Sequence, residues 1–187
     1  MSKKLSEMTL EELWQLFPIF LVEHDNRWRV WYNEECQRIH DFLAGIDARI
    51  SHIGSTAIEN IWAKPIIDIL VEIPLQEDIF NVKELIVQNG YLCMSESERK
   101  ISFNRGYTEN GFAEKVFHLH LRYSGDNDEV YFRDYLNDNP TIAKEYEKLK
   151  LWLWKAYEHD RDGYTDAKHE FVCEYTKKAR ETYKDKY

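Results

Sequence analysis

The feature that most constrains this chain is an apolar run from Pro65 to Ile73 with an acidic residue in its middle. Val, Ile and Leu favour strands, and a short run of them is typical of a strand in a protein core. Asp68 interrupts the run, and a buried carboxylate is unfavourable unless a metal, a cation or hydrogen-bond donors meet it. Because side chains alternate along a strand, Asp68, Leu70 and Glu72 are predicted to share one face. We therefore expect a core strand that presents Asp68 to a functional site, with Glu72 pointing the same way.

A glycine–serine turn precedes this strand. Gly54 allows the backbone to approach a ligand closely, and the free amides at the start of a helix after such a turn form an anion site. The chain between the turn and Asp68 is long enough for a short helical segment and a return into the sheet. Gly54, Ser55 and Thr56 are therefore expected to bind a phosphate beside a divalent metal at Asp68. Lys64 either faces solvent or reaches the same anion.

A second polar cluster lies in the run from Lys115 to Tyr123, where His118, His120 and Arg122 alternate with apolar residues. In a strand these three side chains share one face. Two imidazoles on one face can bind a transition metal or flank a phosphate, and Arg122 can pair with an anion. The structural alternative is a polar outward face of an antiparallel strand. His52, just before the turn, likewise fits either a structural hydrogen bond or a contact to the phosphate or metal.

Composition narrows the class of protein. The chain has 187 residues, 43% of them hydrophobic, which predicts one domain over 1–187 with a substantial core. Its 34 acidic residues against 25 Lys and Arg give a net charge of −9, which disfavours general nucleic-acid binding. No apolar run approaches a membrane span and the N-terminus lacks an apolar signal core, so we expect a cytoplasmic protein. Cys36, Cys93 and Cys173 are expected to be buried thiols, with a catalytic or zinc-binding cysteine as the alternative.

Periodicity and turn residues divide the chain into elements. A capping box at Thr9 predicts a short helix that stops before Pro18, and Asp25 can cap a longer amphipathic helix that ends at Gly45. The strand–helix–strand order that follows predicts a mixed sheet. The other predicted elements are strands at 48–53, 65–73, 91–94, 100–103 and 115–123, a helix at 77–88, a loop at 104–114, helices from about 128 onward and a fraying tail at 177–187.

Four short motifs follow one another along the chain. They are His-Ile-Gly-Ser-Thr-Ala at 52–57 with Ala-Lys-Pro-Ile-Ile-Asp-Ile at 63–69, His-Leu-His at 118–120, Phe-Arg-Asp-Tyr-Leu at 132–136 and Tyr-Thr-Asp-Ala-Lys at 164–168. Together they resemble the GrpB family, and the resemblance runs from about residue 20 to about residue 180. The fold of that family is similar to that of polymerase-beta-like nucleotidyltransferases.

The resemblance implies an α+β fold with a mixed β-sheet flanked by helices and a helical C-terminal portion over about 128–187. In that superfamily a Gly-Ser turn holds the nucleotide phosphates, and two strand acids one residue apart hold Mg²⁺. Asp68 matches the first acid and is the expected catalytic residue. Leu70 stands where the second acid is expected, so this chain departs from the catalytic pattern.

The resemblance also extends the expected site. It makes His118 and His120 metal ligands together with Asp68, and it adds Arg133 and Lys168 as phosphate-binding cations. Tyr164 lies four residues before Lys168, on the same helix face. From the residues alone, Arg133 equally fits an ion pair with a nearby acid, and Lys168 fits a solvated surface lysine.

The expected function is binding of a nucleotide or phosphorylated metabolite. With Mg²⁺ or Mn²⁺ as cofactor, the resemblance implies transfer of a nucleotidyl group. Two alternatives stay open: an inactive nucleotide-binding or accessory module, and a metal-dependent hydrolase built on His118, His120 and Asp68. The expected partner is a small phosphorylated ligand, with neither a membrane nor general nucleic-acid binding.

Overall fold

The structure, a computed structural model, describes residues 4–184 and 186–187. Within that part of the chain, five strands form one sheet and seven α-helices accompany it. The strands are β1 (Arg49–Ile53), β2 (Ile67–Ile73), β3 (Leu92–Glu96), β4 (Lys100–Thr108) and β5 (Gly111–Tyr123). The helices are α1 (Leu10–Leu16), α2 (Arg27–Phe42), α3 (Ile79–Gln88), α4 (Asp128–Asp138), α5 (Pro140–Ala156), α6 (Arg161–Ala167) and α7 (His169–Thr182).

The sheet has the strand order β1-β2-β5-β4-β3 and is mixed, as predicted. β2 pairs with β5 in parallel, whereas the other three pairings are antiparallel. The parallel register places Asp68 opposite His118, Leu70 opposite His120, and Glu72 opposite Arg122. The two polar clusters predicted from the sequence therefore lie side by side on the two central strands. The α+β class and the helical C-terminal portion are confirmed.

The two faces of the sheet have different environments. One face, which we call the core face, carries Ile67, Ile69 and Leu119 and packs against Trp28 of α2 and Val82 of α3. The opposite face, which we call the site face, carries the polar side chains of β2 and β5. On the site face, Leu70 packs against Val130 of α4 and Ile53 of β1. Burial on both faces explains why β2 reads as a nearly continuous apolar run.

One predicted loop is wrong. Residues 104–114 were expected to form a loop, but β4 continues to Thr108 and β5 begins at Gly111, so the two strands form a hairpin. The outer end of this hairpin has a polar composition, because side chains there need not be buried, and the sequence therefore resembles a loop. Gly106 has a φ of +94°, and a Cβ at this position would overlap the backbone oxygen of Lys115. This glycine permits a bulge at which the β4–β5 register shifts between Arg105 and Tyr107.

Two smaller predictions are also wrong. The predicted tail does not begin at residue 177: α7 continues to Thr182, and the Tyr187 ring lies 5.2 Å from the Tyr131 ring. Asp185 lies outside the described residues. Cys93 and Cys173 are exposed rather than buried, and Cys36 is half-buried.

None of the helices in residues 4–184 and 186–187 combines the length and the apolar character needed to cross a membrane.

Candidate functional site

Asp68 lies at the centre of a hydrogen-bonded group on the site face. Its Oδ1 is 3.2 Å from His118 Nδ1 and 3.6 Å from His120 Nε2. The Asp68 side chain remains 27% exposed, so solvent or a ligand can still reach it. Burial raises the pKa of Asp68, but the hydrogen bond from His118 and the proximity of His120 outweigh burial, and the net pKa is well below 3.8. Asp68 is therefore an ionised acceptor at neutral pH.

His118 connects Asp68 to a tyrosine that the sequence did not indicate. Its Nδ1 faces a carboxylate that can only accept, so Nδ1 carries the proton. Its Nε2 then accepts a hydrogen bond from the Tyr107 hydroxyl at 2.8 Å. Burial lowers the pKa of His118, against an opposing effect of Asp68, and this favours the neutral ring. The three side chains form a chain of hydrogen bonds that fixes the His118 tautomer.

Tyr107 reaches His118 because of the bulge in the β4–β5 hairpin. Its ring is packed between Phe17 and Phe112, with ring centroids 4.7 Å and 5.2 Å away. Burial raises the pKa of Tyr107, so its hydroxyl remains a hydrogen-bond donor at neutral pH. The predicted loop concealed this residue, since a tyrosine in a polar loop gives no indication of which strand it will face.

The glycine–serine turn lies directly against Asp68. Gly54 has a φ of +71°, a conformation that side-chain-bearing residues rarely adopt. A Cβ at position 54 would overlap Asp68 Oδ2 and lie 3.0 Å from Asp68 Cγ. Only glycine fits this close approach. The turn and the acid therefore face the same space.

That space is a cleft of about 160 Å³, which we call the cation cleft. Four basic side chains converge on it from the chain before β2 and from α5, α6 and the junction between α6 and α7. Its lining residues are Ser55, Lys64, Ile66, Asp68, His118, Lys150, Arg161, Tyr164 and Lys168. Of the residues expected in the site, it brings together Ser55, Lys64, Asp68, His118, Tyr164 and Lys168.

The basic groups of the cation cleft destabilise one another's charged forms. Burial, followed by repulsion from Arg161 and Lys168, lowers the pKa of Lys64 to about 7. Burial, followed by repulsion from Lys168, lowers the pKa of Lys150 to about 7. Burial also lowers the pKa of Lys168 to about 8, although Asp68 partly opposes the shift. A single carboxylate does not compensate for four cations, so the cleft favours an anion.

Lys150 and Arg161 were missed by the sequence reasoning. Lys150 is 1% exposed, and its Nζ donates a hydrogen bond to the Trp62 carbonyl at 2.5 Å. It falls between Tyr146 and Leu153 on the buried stripe of α5. A lysine on an apolar stripe is a readable signal, because an unpaired buried ammonium is costly. Arg161 begins a short helix of mixed composition and gives no such signal.

Three of the expected site residues lie on the other side of the turn. The Thr56 hydroxyl donates to the Ile66 carbonyl and also contacts His52 Nε2. His52 stacks on Tyr32, with ring centroids 4.7 Å apart, and burial lowers its pKa to about 4. Arg133 donates to the His52 carbonyl and pairs with Asp134. Thr56, His52 and Arg133 all line a separate cleft of about 490 Å³.

Glu72 and Arg122 share the site face but lie at its far end. Glu72 is 2% exposed, and its Oε1 accepts hydrogen bonds from the Gly125 amide and the Asn127 side chain. Arg122 is 9% exposed and donates to the Leu121 carbonyl. Neither residue lines the cation cleft. Their contacts are those of a buried structural cluster.

The donors near Asp68 suit some divalent metals better than others. Asp68, His118 and His120 supply one carboxylate and two imidazoles, whereas Mg²⁺ prefers oxygen ligands and imidazole suits Zn²⁺ and other transition metals. As the side chains stand in residues 4–184 and 186–187, no group of three or more His, Cys, Asp or Glu is arranged to hold a metal ion. His118 would have to release the proton on Nδ1 to become a ligand through that atom.

The fold is similar to that of two solved enzymes, a poly(U) polymerase and a terminal U-transferase. A poly(U) polymerase solved with MgATP superposes with a TM-score of 0.51 at 13% identity, over 79% of this chain and 46% of that chain. A cytoplasmic RNA terminal U-transferase superposes with a TM-score of 0.51 at 10% identity, over 79% of this chain and 44% of that chain. At such low identity, these likenesses define the nucleotidyltransferase-like fold.

The family is more specific. The family model described as GrpB protein matches residues 18–178, so the chain belongs to the GrpB family. A glutamate-rich protein GrpB from Alkalihalophilus pseudofirmus is 37% identical over 83% of this chain and 92% of its own length. The crystal structure of the conserved protein GrpB from Enterococcus faecalis superposes with a TM-score of 0.76 at 28% identity, over 88% of this chain and 99% of that chain.

Proposed function

We propose that the cation cleft binds the phosphates of a nucleotide or phosphorylated metabolite. The observation that carries this proposal is the convergence of Lys64, Lys150, Arg161 and Lys168 beside the Gly54–Ser55 turn. Lysines with lowered pKa values are an unfavourable arrangement for the empty protein, and Lys150 among them is fully buried. A polyphosphate restores their charged forms and gains charge-assisted hydrogen bonds from each of them.

A divalent metal at Asp68 is part of this proposal. Asp68 would hold the ion, His118 and His120 are the neighbouring donors, and the ion would neutralise phosphate charge and polarise the phosphorus centre. Lys64 and Lys168 would orient the phosphates, and the backbone at Gly54 would allow them to approach Asp68. In a transfer reaction these residues would hold the nucleotide in place for an acceptor hydroxyl.

Leu70 favours a binding protein over a transferase as the first hypothesis. It is fully buried against Val130 and Ile53, so the position beside Asp68 offers no second carboxylate. A metal-dependent hydrolase is the second candidate. The observation that favours it is the set of two imidazole nitrogens at 3.2 Å and 3.6 Å from one Asp68 oxygen, since such donors suit Zn²⁺ or Mn²⁺.

The phosphate site is tested by thermal shift and calorimetry with tripolyphosphate and ATP. Lys150→Met removes a buried charge from the cleft, and Lys155→Met removes an exposed charge from the same helix as a matched control. Ligand at 100 times its dissociation constant stabilises the wild type by about 2.7 kcal/mol. We expect Lys155→Met to keep this shift and Lys150→Met to lose most of it.

Equal shifts in both variants would remove Lys150 from the site, and no shift in wild type with either ligand would overturn the proposal. If Lys150→Met does not fold, Lys168→Met takes its place, and Lys155→Met remains the control. Asp68→Ala tests the metal: the increment that Mg²⁺ or Mn²⁺ adds should disappear. Release of phosphate or pyrophosphate that chelators abolish separates the hydrolase and transferase from a binding module.

A further inference from the structure

A second groove continues from the cation cleft past Asp68. It has a volume of about 620 Å³ and shares Ser55, Asp68 and Lys168 with the cleft. It runs between α4, α5 and α7, which contribute side chains to its walls. The two spaces therefore adjoin at Ser55, Asp68 and Lys168, and we call the second one the helical groove.

The helical groove has an apolar floor. Phe132 of α4, Tyr146 of α5 and Val172 of α7 form it. Phe132 and Tyr146 are held edge to face, with ring centroids 5.3 Å apart, and Phe171 stacks on Tyr146 at 5.2 Å. These rings support one another and form a firm wall. A purely inorganic polyphosphate gains nothing from such a wall, whereas a ring system buries apolar area against it.

Glu129 gives the groove a hydrogen-bond acceptor without a partner. This residue lines the groove from the first turn of α4. Its Oε2 is buried and has no hydrogen-bond partner among the described residues. An unpaired buried carboxylate oxygen is costly, and Glu129 is only half-buried as a residue, so a turn of its side chain can present this oxygen to a ligand.

The two adjoining spaces therefore differ in polarity. The cation cleft carries four basic groups, whereas the helical groove combines its apolar floor with acidic and basic side chains, and its Arg180 is paired with Asp128. The ligand that complements both is anionic at one end and has a flat apolar ring with hydrogen-bond donors at the other. A nucleoside polyphosphate has this distribution of charge and donors.

We infer that the helical groove binds the nucleoside of the same nucleotide whose phosphates occupy the cation cleft, and that Glu129 selects a base with an exocyclic amino group. This inference rests on the proposed phosphate site. A carboxylate accepts from an amino group such as N4 of cytosine, whereas the O4 of uracil is itself an acceptor and repels it. CTP and UTP differ at this position and match in charge and nearly in size, so they form a suitable pair of probes.

The test compares the dissociation constants of CTP, UTP and tripolyphosphate for wild type, Glu129→Gln and Glu170→Gln. Glu170 is an exposed acid on α7 outside the groove lining, and Glu170→Gln is the control for loss of one negative charge. In wild type we expect CTP to bind about tenfold more tightly than UTP, the factor that one hydrogen bond to a charged acceptor supplies. Glu129→Gln should remove this ratio, and Glu170→Gln should keep it.

The outcomes distinguish the inference from the proposal on which it rests. If tripolyphosphate binds as tightly as CTP, or UTP as tightly as CTP, the inference about the groove fails and the phosphate site stands. If none of the three binds, the phosphate site fails too. A CTP preference that survives in Glu129→Gln overturns the role of Glu129.

Two exposed cysteines provide a readout that does not depend on substitution of Glu129. Cys173 lines the helical groove, and Cys93 lies on β3 at the edge of the sheet. We expect CTP to slow alkylation of Cys173 at least severalfold, tripolyphosphate to slow it little, and neither to affect Cys93. Equal protection of Cys173 by CTP and tripolyphosphate would contradict a nucleoside in the groove.

Discussion

Asp68 and Glu72 lie on the same face of the same strand and differ in what covers them. Asp68 is 27% exposed, contacts two histidines and borders the cation cleft. Glu72 is 2% exposed and accepts hydrogen bonds from the Gly125 amide and the Asn127 side chain, both at 3.1 Å. Alternation along β2 fixes the direction of both acids, but the chain after β5 closes over only one of them. Because the chain after β5 covers Glu72, only Asp68 is available to a ligand.

Replacing the two acids should give the largest contrast. Glu72→Ala leaves the donors of Gly125 and Asn127 unpaired in a closed interior, so we expect the free energy of unfolding to fall by about 2–4 kcal/mol. Asp68→Ala should cost about 1 kcal/mol, because solvent reaches the site. Urea unfolding followed by circular dichroism measures both. A larger loss for Asp68→Ala would reverse the assignment of structural and functional acid.

Two glycines with positive φ test whether the glycine–serine turn presses on Asp68. Gly54 and Gly45 both have positive φ, +71° and +95°, but a Cβ meets Asp68 at position 54 and nothing within 4 Å at position 45. Gly45→Ala should cost about 1 kcal/mol of stability from backbone strain alone. Gly54→Ala should cost roughly 1–2 kcal/mol more and displace Asp68. Differential scanning calorimetry gives the stability difference, and equal costs would show that the turn does not press on Asp68.

A more gradual effect concerns pH at the cation cleft. The pKa of Lys64 is lowered from 10.5 to about 7, so between these pH values the unfolded chain binds the proton that the folded chain has lost. This contribution makes the free energy of unfolding rise with pH in that window, and the cost of the buried charge is fully present below pH 7. Lys64→Met should therefore flatten the rise, by at most about 1.4 kcal/mol per pH unit.

Sulfate provides the binding counterpart of this prediction, because its charge does not change between pH 6.5 and 9. Its affinity for wild type should fall by about tenfold over that range as Lys64, Lys150 and Lys168 lose their protons. Isothermal titration calorimetry at several pH values measures the change. A flat profile in wild type, or an unchanged slope in Lys64→Met, would contradict the role of these lysines.

Much of the fold follows from local patterns in the sequence. The run around Asp68 predicts β2, and the capping box at Thr9 predicts α1, because both depend on neighbouring residues. The hairpin of β4 and β5 was only half recognised, because its outer end is polar and its bulge at Gly106 interrupts the alternation. A strand cannot be recognised from local patterns when its buried and exposed side chains do not alternate in the sequence.

The site was less predictable than the fold because its members come from distant segments. The turn and the strand acid could be predicted together, since one connection joins them. The parallel register that brings His118 to Asp68 depends on the whole sheet. Tyr107 and Arg161 reach the site only through a bulge and a short helix that composition does not indicate. Arg133 resembled a site cation, yet it holds the His52 carbonyl on the other side of the turn.

The parallel pairing of β2 with β5 has a consequence for how the protein acquires its shape. Helix α3 and strands β3 and β4 lie between β2 and β5 in the chain and must be synthesised before β2 and β5 can pair. This separation raises the contact order of the sheet. During synthesis, β2 exposes an unpaired edge until residue 123 has left the ribosome. We therefore expect the same connection that assembles Asp68 with His118 to slow refolding.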